Sequence, residues 1–129
     1  MLGVDTLVTL DGEIFGKPAD ADAARAMLAR LAGQAHRVVS GIALVRDGAV
    51  ASAVEITEVT FVAAAADEID AYVETGEWEG RAGGYAIQGR GAVLIKRIEG
   101  DYLNVVGLPV AALLELWPAL TTDFAGAGR

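Results

Sequence analysis

The sequence predicts an α/β domain: a mixed, twisted sheet flanked by helices. Three observations carry that prediction. Runs rich in β-branched residues open the chain and fill its middle, as half-buried strands do. Segments with helical apolar spacing separate them. Asp-Gly pairs, Asp11-Gly12 and Asp47-Gly48, stand between consecutive strand-like runs, where tight hairpins favour them.

The elements follow in order. Leu2 to Leu10 reads as a strand, Asp11-Gly12 as its turn, and Glu13 to Phe15 as a short return strand. Gly16-Lys17-Pro18 breaks the pattern. A helix runs from Asp20 or Asp22, either able to cap it, to Leu31, with Gly33 as its stop. His36 to Val45 and Val50 to Val62 read as two long strands. In the second, Val50, Val54 and Ile56 share one phase while Val59 and Phe61 are apolar in the other, which predicts a bulge or a change of sheet face. Asp67 to Glu74 reads as a helix using Ile69, Tyr72 and Val73, closed by Gly76. A strand from Ala92 to Ile98 and a helix from Pro109 through Leu113, Leu114 and Trp117 complete the core. The chain reads as one domain over 1–120, with a flexible tail at 121–129.

Composition narrows the function. A net charge of −8 disfavours general binding to nucleic acid or to anionic membrane, both of which need clustered Lys and Arg. With no cysteine, thiolate metal sites and a cysteine nucleophile are excluded. His36 is the only histidine, so a multi-histidine metal site is excluded as well. Neither a signal segment nor an apolar run of membrane-spanning length is present in the sequence, and a cytoplasmic location is expected.

A few residues remain that can carry chemistry. Asp5 interrupts an apolar strand, and Thr6 points to the opposite face if that strand is regular. A carboxylate there can bind a divalent cation or activate water, or can simply be a solvated strand-end charge. Lys17, between Gly16 and Pro18, can reach a phosphate or remain a solvated turn lysine. Ser40 lacks a nucleophile elbow around it. Glu55, Glu58, Asp67, Glu68 and Asp70 read as solvated or helix-start charges, with Glu55 or Glu58 joining Asp5 only if their strand face turns toward it. Ala82 to Gly91 packs four glycines around Tyr85, Gln88 and Arg90. Such a run lets the backbone turn sharply or lets a ligand approach the main chain. Gln88 is its one amide, able to read the edge of a small polar ligand.

Several segments, taken together and in order, resemble the Maf proteins, a family of nucleoside triphosphate pyrophosphatases. They are Asp5-Thr6-Leu7-Val8 through Gly16-Lys17-Pro18, His36 to Gly41, Ala82 to Gly91, and Asn104 to Pro109. The resemblance implies an inosine triphosphatase-like fold with a cleft for a triphosphate and a divalent cation, Mg2+ or Mn2+. It implies a reaction that releases pyrophosphate and leaves the nucleoside monophosphate. By motif match, Asp5 corresponds to the catalytic and metal-linked carboxylate and Lys17 to the phosphate-contacting lysine. Thr6 and Gln88 match positions tied to base selection. The Tyr-x-Ile-Gln-Gly form, Tyr85 to Gly89, resembles the subgroup acting on dTTP and UTP.

This sequence departs from the family pattern at Trp78, where proline is usual, at Gly80, where aspartate is usual, and at Arg81, which keeps the charge of a lysine and joins Tyr85 as a substrate-side candidate. The family's N-terminal Ser-x-Ser-Pro-Arg-Arg segment has no counterpart here, so the resemblance implies a domain lacking the N-terminal part of the fold. It follows that an apolar surface should be exposed and that a homodimer is compatible. A catalytically weak nucleotide-binding remnant or an interaction module is the alternative.

Overall fold

The computed structural model of the chain describes residues 1–117; the expected tail at 121–129 lies outside the described residues. Turn chemistry sets the first elements. Asp11 (φ 50°) and Gly12 (φ 81°) both occupy the left-handed region, the geometry of a two-residue hairpin turn. They join β1 (Leu2–Leu10) to β2 (Glu13–Phe15). Asp47 (φ 49°) and Gly48 (φ 77°) repeat the device between β3 (Ala35–Arg46) and β4 (Ala49–Phe61).

Asp20 is the cap of α1 (Ala21–Leu31), its carboxylate accepting from the Ala23 amide at 2.7 Å. Asp22 instead pairs with Arg25 at 2.9 Å. In α2 (Ala66–Glu74), Glu68 reaches back to accept from the Ala65 amide at 3.1 Å, satisfying one of the free amides at the helix start. The strand expected from Ala92 is shorter: Arg90–Leu94 forms a 3-10 turn and β5 spans Ile95–Glu99. The five-residue α3 (Tyr102–Val106), capped by Asp101 through the Leu103 amide, has no counterpart in the expectation. The last helix, α4, spans Val110–Leu116.

The strands form one five-stranded sheet in the order β2-β1-β3-β4-β5. The expected α/β class holds, with helices against a single sheet. The expected mixture of strand directions does not, since every pairing is antiparallel. The connections explain why. Two hairpins reverse the chain directly, and α1 carries it back after β2, so that β3 descends beside β1.

Among the described residues, the four helices pack on one face of the sheet. Val8, Leu10, Val38, Val59 and Phe61 meet Ala24, Leu28 and Leu31 of α1 and Ile69, Tyr72 and Val73 of α2. Further along the sheet, Ile42 meets Ala112 and Leu113 of α4. The phase change in β4 therefore has a simpler cause than a bulge. Its register with β3 is regular from Ala49 to Thr60, and the irregularity lies on the β5 side at Thr60/Phe61. Thr57, Val59 and Phe61 face the helices, while Val50, Val54 and Ile56 lie on the uncovered face, 71%, 65% and 51% exposed.

Candidate functional site

Strand alternation places the first two candidates. Thr6 stands in a cross-strand row with Ser40 and Glu55, on the helix-covered side, and its hydroxyl meets that of Ser40 at 2.9 Å. Asp5, one residue back, falls in the row of Gly41 and Val54. The outer edge of β1 is paired to β2 only from Val8 onward, so Asp5 lies on an open strand edge, exposed. Glu55 points to the other face from Asp5. Glu58 shares Asp5's face but stands four residues along β4 from Val54, about 13 Å away at ~3.3 Å per residue. Neither joins it. Among the described residues, no group of three or more His, Asp or Glu side chains is placed to hold a metal.

A cleft of about 480 Å3 opens beside this edge. β1 contributes Val4, Asp5, Thr6 and Val8. The turn after β2 contributes Lys17, and the glycine-rich run contributes Ala82 and Tyr85 to Gly89, with Gly80 and Arg81 just before it. Val105, Val106 and Gly107, at the end of α3, close the far wall. All six candidate residues, Asp5, Thr6, Lys17, Arg81, Tyr85 and Gln88, thus line one cavity, although they come from three distant parts of the chain. Its size suits a small molecule.

Specific contacts hold the walls. The Gly83 amide donates to the Gly16 carbonyl at 3.1 Å, tying the glycine-rich run to the turn that carries Lys17. Gly83 has φ 75°, and a Cβ there would lie 3.0 Å from Val8 Cγ2, so a side chain is strained twice over. Asn104, fully buried, donates through Nδ2 to the carbonyls of Val38 (3.0 Å) and Glu55 (3.2 Å) and to Thr57 Oγ1 (3.1 Å), pinning α3 to two strands. The Trp78 indole N–H donates to the Val73 carbonyl at 3.0 Å. That carbonyl, at the end of α2, also accepts from the Gly76 amide at 3.1 Å, so the indole adds a second donor, a bond proline cannot make. Gly80 has φ 70°, a conformation that suits glycine better than a residue with a Cβ.

The polar groups divide into free and committed. Lys17, Arg81 and Gln88 are exposed, and among the described residues neither cation is paired with a carboxylate. Tyr85 is different. It is buried, and its hydroxyl lies 2.6 Å from His36 Nε2. Its ring packs edge-on against His36 and Phe61. It backs the cleft with an aromatic wall, while its polar atom belongs to the core.

Burial lowers the His36 pKa from 6.5 to about 4, so the ring is neutral at physiological pH. Below pH 6.5 the unfolded chain takes up a proton that the folded chain refuses until about pH 4. This contribution to stability is full above pH 6.5 and drains as pH falls through that window. At about 1.4 kcal/mol per pH unit, roughly 2 kcal/mol is expected to be lost between pH 6.5 and 5, above the range where carboxylates titrate. Urea midpoints at the two pH values check this. Replacing His36 with glutamine should flatten the dependence.

Glu77 was not legible as a cleft residue in the sequence. Its carboxylate accepts from the Arg90 amide at 2.9 Å and the Gly91 amide at 3.3 Å. The Tyr72 hydroxyl donates to it at 3.2 Å. The Arg90 amide, above all, holds the Glu77 carboxyl below its ordinary pKa. Burial pushes the Tyr72 phenol up to about 12, keeping it a donor.

The family model described as Maf-like protein matches residues 1–120. A dTTP/UTP pyrophosphatase of Symbiobacterium thermophilum is 50% identical over 116 residues, covering 90% of this chain and 60% of that protein. The dTTP/UTP pyrophosphatase of Pyrococcus furiosus is 47% identical over 116 residues, again 90% of this chain and 61% of that protein. That of Halalkalibacterium halodurans is 49% identical over 111 residues, 86% and 58%. The chain spans about three-fifths of the length of these relatives.

Proposed function

The chain belongs to the Maf family, and from that premise we propose that its cleft binds a pyrimidine nucleoside triphosphate, dTTP or UTP, and supports hydrolysis to the monophosphate and pyrophosphate. The observation that carries this is the convergence of Asp5, Thr6, Lys17, Arg81 and Gln88 on one cavity. Lys17 and Arg81 offset phosphate charge, Arg81 with the forked geometry of a guanidinium. Gln88 and Thr6 stand where an amide and a hydroxyl meet the donor and acceptor edge of a base. Tyr85 and Ile87 give that base an apolar backing. Asp5, at the solvent-open edge, accepts the proton of the attacking water.

One carboxylate beside a triphosphate also matches the way Mg2+ is held, by one or two protein carboxylates and the substrate's own phosphates. Asp5 would hold Mg2+ or Mn2+ in this reading, and the ion would supply charge neutralisation on the departing pyrophosphate. An acidic, cysteine-free chain with this substrate fits the cytoplasm. Among the described residues, no helix is long and apolar enough to cross a membrane. The uncovered sheet face offers a homodimer its contact area.

A second reading is favoured by the small number of cations on the cleft wall. With Lys17 and Arg81 as the only basic residues lining it among the described residues, the chain would hold a nucleotide without turning it over. Phosphorus NMR of the chain with Mg2+ and dTTP decides between them. Pyrophosphate and dTMP together support the pyrophosphatase. Binding without products supports the second reading, and orthophosphate with dTDP overturns the proposed bond cleavage.

A further inference from the structure

Gln88 sits on a turn whose two ends hang from one pair of side chains. At the near end, the Ala86 amide donates to the Tyr72 hydroxyl at 2.9 Å. At the far end, the Arg90 and Gly91 amides donate to the Glu77 carboxylate at 2.9 and 3.3 Å. The pair is itself joined, Tyr72 donating to Glu77 at 3.2 Å. Between these anchors the turn closes on itself, Gly89 N–H to the Ala86 carbonyl at 3.3 Å. Glu77 is braced in turn, because its amide donates to Thr75 Oγ1 at 3.2 Å and that hydroxyl donates to the Tyr72 carbonyl at 2.6 Å.

Two glycines of the run have their reason here. A Cβ at Gly89 would lie 2.5 Å from Glu77 Oε1. A Cβ at Gly91 would run into the Ala86 carbonyl oxygen and stand 3.0 Å from the Tyr72 hydroxyl. A bare backbone at Gly89 lets the carboxylate seat against it, and a bare Gly91 lets the turn close past the Ala86 carbonyl and the Tyr72 hydroxyl.

The Gln88 side chain itself makes no hydrogen bond among the described residues and is exposed in the cleft wall. Its amide therefore goes where the turn holds it. Base reading by an amide is a matter of register: hydrogen bonds weaken steeply with misalignment, and a loosely held group reads every base poorly.

We propose that Glu77, braced by Tyr72, is the positioning residue that fixes the Gln88 turn and thereby sets which base the cleft accepts. This rests on the nucleotide reading of the cleft. Glu77 touches neither base nor phosphate in this role; it acts through the backbone of Arg90 and Gly91. A carboxylate suits the task because one group takes two amides and a phenol at once, and its charge strengthens all three bonds.

The test uses the chain and its Glu77→Gln variant, with Tyr72→Phe as the milder second variant. Amide resonances are followed from pH 7 to 3. The Arg90 and Gly91 amide protons should move together with a midpoint below the ordinary glutamate value, and that movement should vanish in Glu77→Gln. Affinities for dTTP and dATP are then measured. The preference for dTTP should fall at least tenfold in Glu77→Gln and severalfold in Tyr72→Phe, with both variants still melting cooperatively. A merely structural role would weaken both nucleotides equally, leaving the preference unchanged, and that result overturns the proposal alone. Arg90 and Gly91 amides that ignore the titration overturn it as well. A wild-type chain that binds neither nucleotide overturns the parent reading and this proposal with it.

Discussion

Replacing Asp5 with asparagine is expected to cut pyrophosphate release from dTTP by about a thousandfold, within the range for loss of a positioned acid or base. The substitution keeps the size of the side chain but removes the carboxylate proposed to accept the proton. Asp5 is exposed at an open strand edge and makes no hydrogen bond or ion pair through its carboxylate among the described residues. Stability should therefore stay within about 0.5 kcal/mol of the parent, as for surface substitutions generally. That combination is the diagnostic: an unchanged melt with activity gone. Steady-state kinetics beside thermal denaturation measure both. Turnover within threefold of the parent would remove Asp5 from the chemistry, and a lowered melt would make it a structural residue.

Gly91→Ala is expected to destabilise the fold by about 1–3 kcal/mol, the usual range for overpacking, and to abolish measurable dTTP binding. The new methyl has no room. It meets the Ala86 carbonyl oxygen and lies 3.0 Å from the Tyr72 hydroxyl, and these are parts of the turn that carries Gln88. The turn must move, and Gln88 with it. Gly41→Ala is the control. Gly41 lies in β3 with nothing within 4 Å of its would-be Cβ and no positive φ. There alanine should be neutral or slightly stabilising, since glycine costs about 0.5–1 kcal/mol inside a strand. Urea unfolding and calorimetric titration of the two variants separate a local steric clash from a general intolerance of glycine replacement.

Much of the fold was legible in the sequence because its signals are local. Asp11-Gly12 and Asp47-Gly48 announce left-handed turns by their own chemistry, and both hairpins follow. Asp20 and Gly33 bound α1 for similarly local reasons. What failed was whatever depended on partners distant in sequence. Val50, Val54 and Ile56 look like core residues by type, yet they face away from the described helices, and only the complete sheet shows it. The strand directions depend on where α1 returns the chain, which no residue pattern states. α3 is five residues long, too short for periodicity to declare it.

The candidate site divides in the same way. Alternation in β1 correctly separates Thr6 from Asp5, and the resemblance names six residues that line one cavity. Tyr85 shows the limit of a motif, since its hydroxyl serves the buried His36 rather than the cleft. Glu77 shows another. Its bonds are to backbone amides 13 and 14 positions away, and an amide leaves no trace in residue type. The signal that could have found it is Gly89, bare where the carboxylate approaches.

A titration of the isotopically labelled chain with dTTP and Mg2+ tests the cleft most directly. Amide resonances of Thr6, Lys17, Arg81, Gln88 and Gly89 should shift together with one dissociation constant, while Val54 and Ile56 on the uncovered face stay still. Shifts confined to that uncovered face, or none at all at millimolar dTTP, would contradict the assignment of this cleft as a nucleotide site.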